Sequence, residues 1–227
     1  MQVIAHRGAS GYAPENTRAA FEQAIEMGAA AIETDVTVTA DGAMVLVHDQ
    51  LIDRISNGEG PVSDHTLAEL RELDFGSWRS PEFAGERIVT VEEMIEEFLD
   101  RIPVVFEIKD PRATKPLIEL LQTRNKIDRV QITSFIWYPL LEARALNADV
   151  ELGFLTPAFE PAMIDRIIRR GFNQICPHVS QLTAKRVALA HDRGLKVRAW
   201  GIDSRLQIER LYETGVDGAT INWPDWG

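Results

Sequence analysis

Residues 3–28 read VIAHRGASGYAPENTRAAFEQAIEMG, an apolar run followed by a glycine-bearing turn and an amphipathic stretch. The run Val3–Ala5 predicts a short strand, and Thr17–Met27 has the periodicity of a helix that stops at Gly28. His6 and Arg7 would then stand side by side at the carboxyl end of that strand. An imidazole transfers protons near neutral pH, and a guanidinium presents a fixed fork of donors to phosphate or carboxylate.

The same strand and helix pattern recurs almost to the end of the chain. The other strand-like runs are Ala30–Val38, Val45–Val47, Val104–Ile108, Val130–Thr133, Leu152–Leu155, Gln174–Cys176, Leu195–Trp200 and Ala219–Ile221. Amphipathic segments lie between most of them: Val91–Leu99, Lys115–Arg124, Tyr138–Leu146, Pro161–Arg170, Thr183–Arg193 and Ser204–Thr214. The second and third runs form a hairpin through Asp41-Gly42, which leaves eight βα positions. We therefore predict an α/β fold, a (β/α)₈ TIM barrel, as one domain of residues 1–227.

One stretch interrupts this pattern. Residues 50–87 are rich in Gly, Ser, Asp and Pro and contain one short predicted helix, Leu67–Leu73. Long irregular connections in compact domains are usually active-site lids or binding segments. We predict that residues 50–87 are a short insertion after the second-strand hairpin, acting as a lid over one mouth of the barrel.

Composition limits the classes of partner. The chain has 227 residues, 45% hydrophobic and 26% charged, with a net charge of 24 − 35 = −11. This charge argues against nucleic-acid binding and against docking on anionic membranes. The lone Cys176, expected as a small buried apolar side chain, excludes an internal disulfide. No stretch resembles a signal peptide or the ~20 apolar residues of a membrane span, so we predict a cytoplasmic protein without a membrane anchor; oligomerisation is left open.

Acidic residues stand at the ends of two strands that are expected to be neighbours. Glu33 and Asp35 alternate onto one face of the second run, and Glu107 ends the Val104–Ile108 run. Three unpaired anions in a partly desolvated site would cost several kcal/mol each. Lys109 can neutralise only one of these three negative charges, so we predict that a bound divalent cation neutralises the others. Ligation by oxygen alone favours Mg²⁺ or Ca²⁺ over zinc.

A second histidine, His48, ends the next run, and with His6 it suggests an acid–base pair. A metal ion, Arg7, Lys109 and two imidazoles, without a nucleophilic Ser or Cys motif, point to phosphate-ester chemistry. One histidine would activate the nucleophile while the other protonates the departing alkoxide. The absence of a GxxxxGK phosphate-binding loop argues against a nucleotide kinase or an NTPase.

These motifs together resemble the glycerophosphodiester phosphodiesterase family, and most closely its compact bacterial members. The matching residues are His6-Arg7-Gly8, Pro14-Glu15-Asn16-Thr17, Glu33-Thr34-Asp35-Val36, His48-Asp49, Leu51-Ile52-Asp53-Arg54, Asn57-Gly58, Glu107-Ile108-Lys109, Trp200 and Gly215-Val216-Asp217-Gly218. The resemblance covers essentially the whole chain.

The resemblance implies a function and roles for particular residues. Substrates would be glycerophosphodiesters such as glycerophosphocholine, cleaved to glycerol 3-phosphate and an alcohol, with a cyclic phosphate as a possible intermediate. Glu33, Asp35 and Glu107 would hold one divalent cation, and His6 and His48 would be catalytic. Arg7 and Lys109 would bind phosphate. Trp200 and Phe154 would either pack against substrate or form a buried aromatic cap.

Two places depart from the family pattern. Gly201-Ile202-Asp203 follows Trp200 where a Thr-x-Asn pattern is usual, and Ile221-Asn222-Trp223-Pro224 replaces a common Thr-Asp-x-Pro. Both segments are expected at the barrel mouth, opposite the metal. These departures therefore concern which alcohol group of the substrate this chain prefers.

Three other functions compete with this one. A lysophospholipase D-like or other phospholipid-headgroup phosphodiesterase would favour an apolar or basic lip. A metal-dependent barrel lyase would leave Arg7 and the two histidines less well explained. A non-catalytic binding barrel would be expected to lose a histidine or an acid, and all are present.

Overall fold

The computed structural model describes residues 1–227 and closes eight parallel strands into a ring. In ring order the strands are β1 (Gln2–His6), β2 (Ala31–Val38), β4 (Val104–Ile108), β5 (Val130–Ser134), β6 (Glu151–Thr156), β7 (Gln174–Pro177), β8 (Lys196–Ile202) and β9 (Gly218–Ile221). Strand β3 (Met44–Leu46) pairs antiparallel with β2, outside the ring. The predicted (β/α)₈ barrel and its hairpin are confirmed.

Eight α-helices accompany the strands. They are α1 (Arg18–Glu26), α2 (Leu67–Glu72), α3 (Val91–Glu97), α4 (Thr114–Thr123), α5 (Trp137–Leu146), α6 (Pro161–Ile168), α7 (Ala184–His191) and α8 (Arg205–Thr214). Most observed ends lie within one or two residues of the predicted ones, and short 3₁₀ turns, such as Pro111–Ala113 before α4, were not predicted. None of the helices combines the length and apolar character needed to cross a bilayer.

Two hydrophobic clusters stabilise the chain. The larger contains 46 buried residues between the strands and the surrounding helices, including Phe21 packed edge-to-face on Phe98 at 5.4 Å. The smaller has eight buried residues, mostly from 50–87 and β3: Val45, Val47, Ile52, Ile55, Val62, Leu70, Phe75 and Ile88. Residues 50–87 therefore pack around a small core of their own. Cys176 is free and buried, as predicted.

The turn after β1 directs Arg7 over the barrel mouth. Arg7 itself has a φ of 57°, and Gly8 follows with a φ of 78°. A Cβ at Gly8 would lie 2.6 Å from the backbone carbon of Ala20, so only glycine allows α1 to pack this close behind β1. A left-handed conformation at a non-glycine residue such as Arg7 is uncommon and concentrates at functional sites.

Strand register brings the polar strand ends together. His6 pairs with Glu33 across β1 and β2, and Asp35 pairs with Glu107 across β2 and β4. Because parallel strands end at the same edge, these side chains meet at the carboxyl-terminal mouth, where (β/α)₈ enzymes carry out their chemistry.

Candidate active site

Three buried carboxylates form the centre of this mouth. Glu33, Asp35 and Glu107 offer oxygens that all lie within 4.8 Å of one another. Burial, followed by the negative charge of Asp35, raises the pKa of Glu33 well above its ordinary value. The same two causes raise the pKa of Glu107. Without a cation, these two groups are therefore disfavoured in their charged form.

Asp35 differs from the other two acids because cations surround it. Burial alone would raise its pKa, but Arg7 and Lys109 outweigh burial and lower it. Arg7 Nε lies 3.2 Å from Asp35 Oδ2, and Lys109 Nζ lies 3.6 Å from Oδ1. The Oδ1 atom is buried and has no hydrogen-bond partner. A charged, buried and unbonded oxygen beside two further carboxylates fits a hard divalent cation such as Mg²⁺ or Ca²⁺.

His6 lies at the edge of the acidic cluster. Its Nδ1 is 2.6 Å from Asn222 Oδ1, and its Nε2 is 3.9 Å from Glu33. Since an amide oxygen only accepts, Nδ1 carries the proton and Nε2 keeps a lone pair directed into the site. Burial, followed by the charge of Arg7, lowers the pKa of His6 to about 4. His6 is therefore a neutral imidazole near pH 7.

His48 has an anionic partner instead. Its Nδ1 lies 2.7 Å from Asp49 Oδ1, and the Arg54 guanidinium holds the other oxygen of Asp49 at 2.7 Å. The Asp49 carboxylate accepts a hydrogen bond from Nδ1, which fixes the tautomer of His48 and the orientation of its ring. In the sequence, Asp49 and Arg54 stand within matching motifs, and no local pattern there indicates that they support His48.

A chain of ion pairs joins this histidine to Arg7. Arg54 binds both oxygens of Glu15, at 2.7 and 2.8 Å, and Glu15 Oε1 accepts from Arg7 Nη1 at 2.8 Å. Asn16 supports the same corner, since its Nδ2 donates to Asp35 Oδ2 at 3.1 Å. The run Pro14-Glu15-Asn16-Thr17 was the available sequence signal for these residues.

Lys109 and Trp200 also lie at the mouth, as predicted, whereas Phe154 does not. Lys109 Nζ donates to Glu107 at 2.8 Å. Trp200 packs edge-to-face on Phe135 at 5.1 Å, while its Nε1 donates to the Cys176 carbonyl at 2.9 Å. Phe154 is elsewhere: it stacks on Trp137 at 3.7 Å in the core beneath α5. Of the two alternatives left open for Phe154, the buried aromatic cap is therefore the correct one.

Two adjoining cavities open at this mouth. The first, which we call the β8 cavity, has a volume of about 470 Å³ and is lined by His6, Arg7, Glu33, Trp200, Asp203 and Asn222 among others. The second, the insertion cavity, has about 590 Å³ and is lined by Thr37, Gln50, Ser63, Asp110, Arg112 and Ile136 among others. Both are bordered by His48, Glu107, Lys109 and Phe135. The site thus has two adjoining compartments that meet at these four residues.

Comparison with known proteins gives a consistent result. Residues 6–226 match the model of the glycerophosphoryl diester phosphodiesterase family. A glycerophosphodiester phosphodiesterase of Caldanaerobacter subterraneus subsp. tengcongensis is 36% identical over 98% of this chain and 94% of its own length. One of Bacillus subtilis is 31% identical over 98% of this chain and 84% of its own length.

Solved structures agree with the sequence relatives. A phosphodiesterase of Oleispira antarctica, in complex with the product sn-glycerol-3-phosphate, has a TM-score of 0.93 at 31% identity, over 99% of this chain and 94% of that one. A glycerophosphodiester phosphodiesterase of Agrobacterium tumefaciens has a TM-score of 0.87 at 25% identity, over 100% of this chain and 98% of that one.

Proposed function

This chain belongs to the glycerophosphoryl diester phosphodiesterase family and is a phosphodiesterase, and from that premise we propose that it hydrolyses glycerophosphodiesters to glycerol 3-phosphate and an alcohol with a bound divalent cation. The observation that supports this most directly is the meeting of three buried carboxylates with His6 and His48 at one mouth. The similar Oleispira antarctica enzyme was solved with sn-glycerol-3-phosphate, which is the product that this reaction gives.

Glu33, Asp35 and Glu107 would hold the cation, as Mg²⁺ or Ca²⁺. When bound, the cation supplies positive charge that polarises the phosphoryl group and stabilises charge developing on its oxygens. Arg7 and Lys109 would add two cationic donors on the same side of the phosphate. Trp200 would provide an apolar wall against the substrate.

The hydrogen-bond partners of the two histidines suggest their roles. His6 Nε2, with its lone pair, would take the proton from the nucleophile, which is water or the glycerol 2-hydroxyl. His48, whose ring is oriented by the Asp49 carboxylate, would give a proton to the departing alkoxide as the phosphorus–oxygen bond breaks. If the 2-hydroxyl attacks, the products are a cyclic phosphate and the alcohol, and water then opens the ring.

The remaining organisation is part of the same proposal. Residues 1–227 would act as one barrel domain, with residues 50–87 as a lid that contributes Arg54 to the ion-pair chain. The partner would be a small glycerophosphodiester rather than a nucleic acid or a membrane, since the net charge is −11. A cytoplasmic location and the oligomeric state stay predictions of the sequence.

A coupled assay for glycerol 3-phosphate tests the activity. Purified protein should release it from glycerophosphodiesters, EDTA should abolish release, and Mg²⁺ or Ca²⁺ should restore it. His6→Ala and His48→Ala should each lose activity by at least about 10²-fold. His191→Ala is the matched control, because His191 pairs with Asp217 on the outer surface. Full activity of His6→Ala or of His48→Ala would contradict the acid–base assignment.

A further inference from the structure

The two cavities raise a question that rests on the proposed function: which of them receives the alcohol that leaves. In an in-line displacement at phosphorus, the attacking and leaving oxygens lie on opposite sides. When the glycerol 2-hydroxyl is the nucleophile, the glycerol and the leaving alcohol therefore lie on opposite sides of phosphorus, and two adjoining compartments that meet at His48, Glu107 and Lys109 match that requirement.

The positions of the histidines distinguish the compartments. His6 borders the β8 cavity only, whereas His48 borders both. Asp49 orients the His48 ring, and His48 is the histidine that reaches the insertion cavity, where it would donate a proton to the leaving oxygen. The leaving alcohol would then lie beside His48 in the insertion cavity, and the glycerol beside His6 in the β8 cavity.

The chemistry of the insertion cavity is unsuited to a cationic alcohol. Each carboxylate at its wall already has a cationic partner: Asp110 is held by Arg112 Nε at 2.9 Å, Asp49 by Arg54, and Glu107 by Lys109. Phe135 is the one aromatic ring on its wall, so it lacks the cage of rings that surrounds quaternary ammonium groups. A choline group would face Arg112 without a free anion or a cage.

Its unused polar groups suit hydroxyl groups instead. Thr37 lies on the same face of β2 as Glu33 and Asp35, and its hydroxyl makes no hydrogen bond within the protein. The Gln50 amide is exposed and also unengaged. Arg112 directs Nε and Nη2 to Asp110 and the Val38 carbonyl, which leaves Nη1 free. These groups supply both donors and acceptors around a cavity of about 590 Å³.

We propose that the insertion cavity is the subsite of the leaving alcohol and that it selects neutral polyhydroxylated alcohols, such as glycerol or inositol, over quaternary ammonium alcohols such as choline. Thr37, Gln50 and Arg112 are the residues that determine this preference. They would act on the substrate directly, through hydrogen bonds to its hydroxyl groups.

A comparison of kcat/KM between substrates with different alcohol groups tests this proposal. We expect kcat/KM for glycerophosphoinositol and glycerophosphoglycerol to exceed that for glycerophosphocholine by roughly tenfold, as one or two additional hydrogen bonds would produce. Thr37→Val keeps the shape of the side chain, and Gln50→Ala alters an exposed residue, so neither should disturb folding. Each should lower the ratio of polyol to choline kcat/KM by roughly three- to tenfold. Arg210→Ala, at an exposed position on α8, is the control and should leave the ratio unchanged.

A binding measurement decides the matter independently of turnover. On the His6→Ala background with Mg²⁺ or Ca²⁺, calorimetry should show tighter binding of glycerophosphoinositol than of glycerophosphocholine, and Thr37→Val should remove most of that difference. Equal binding, a preference for the choline diester or for a lysophospholipid, or a ratio insensitive to both variants would overturn the inference while hydrolysis itself stands. Absence of hydrolysis of every diester by the metal-loaded wild-type protein would instead contradict the proposed function.

Discussion

Two places inside this barrel bury charge, and they do so in opposite ways. Arg198, in β8, is 3% exposed and has neutral partners: Gln174 Oε1 at 3.2 Å, Thr220 Oγ1 at 2.6 Å and Cys176 Sγ at 3.6 Å. At the mouth, Glu33, Asp35 and Glu107 repel one another, and Asp35 Oδ1 has no hydrogen-bond partner.

This comparison distinguishes a buried charge that supports the structure, Arg198, from buried charges that are available to bind a ligand, the three acids. The buried Arg198 cation is held in place by three hydrogen bonds to neutral side chains, and it orients those side chains in turn. Buried acids that repel one another, with an unused lone pair, are stabilised together in their charged form when a divalent cation binds. Changes at the mouth should therefore affect activity, and changes at Arg198 should affect stability.

The largest expected effect is on catalysis at the mouth. Asp35→Asn removes the one carboxylate that its neighbours keep charged, so cation binding should fail. Loss of the several kcal/mol that a metal contributes corresponds to a fall in kcat/KM on the order of 10³-fold. Steady-state kinetics with a metal titration measures this. Unchanged metal affinity in this variant would remove Asp35 from the ligand set.

Arg198→Met should affect stability more than activity. It leaves the Gln174 and Thr220 side chains without their buried partner, which should lower the free energy of unfolding by about 3 kcal/mol. Urea denaturation followed by circular dichroism measures the change. We expect kcat/KM to stay within about tenfold of wild type; a stable but inactive variant would show that Arg198 acts on substrate, since it also borders the β8 cavity.

A smaller effect is expected in the ion-pair chain. Glu15→Gln keeps the shape of the side chain but removes the charge that joins Arg7 to Arg54, so activity should fall by roughly tenfold, as for residues that orient a metal site. The matched control is Glu22→Gln, which breaks the exposed pair with Arg101 on the outer surface. Equal behaviour of the two variants would mean that the chain does not position Arg7.

The smallest effect is the pH dependence of metal binding. The pKa values of Glu33 and Glu107 are higher in the folded protein than in the unfolded chain. In the metal-free protein, these two acids therefore stabilise the fold at a pH below their unfolded-state pKa, and this stabilisation is lost as the pH rises through their folded-state pKa. Bound cation displaces those protons, and affinity should therefore be roughly several-fold tighter at pH 8 than at pH 6. Calorimetry in two buffers of different ionisation enthalpy counts the protons released. Glu33→Gln should flatten the dependence; an unaltered slope would exclude Glu33 as the group that releases them.

The fold and most candidate site residues could be predicted from local signals in the sequence. Apolar runs, helix periodicity and the residues ending each run predicted the barrel and gathered His6, Glu33, Asp35 and Glu107 as candidates. The sequence did not indicate which way Phe154 points. The run Leu152–Leu155 is apolar throughout, so it has no alternation that would tell the inner face of the barrel from the outer one. The structure places Phe154 against Trp137, with the helices.

The sequence by itself determined the eight βα units and the chemistry carried at their ends, since strand and helix periods depend on residues a few positions apart. Only the tertiary structure decided which of those groups are partners. Ring closure sets β9 beside β1 and so joins His6 to Asn222, 216 residues away. Packing of residues 50–87 at the mouth likewise joins Arg54 to Glu15 and supplies part of the wall of the insertion cavity. Such contacts depend on how distant segments pack together, and no local pattern of residues encodes them.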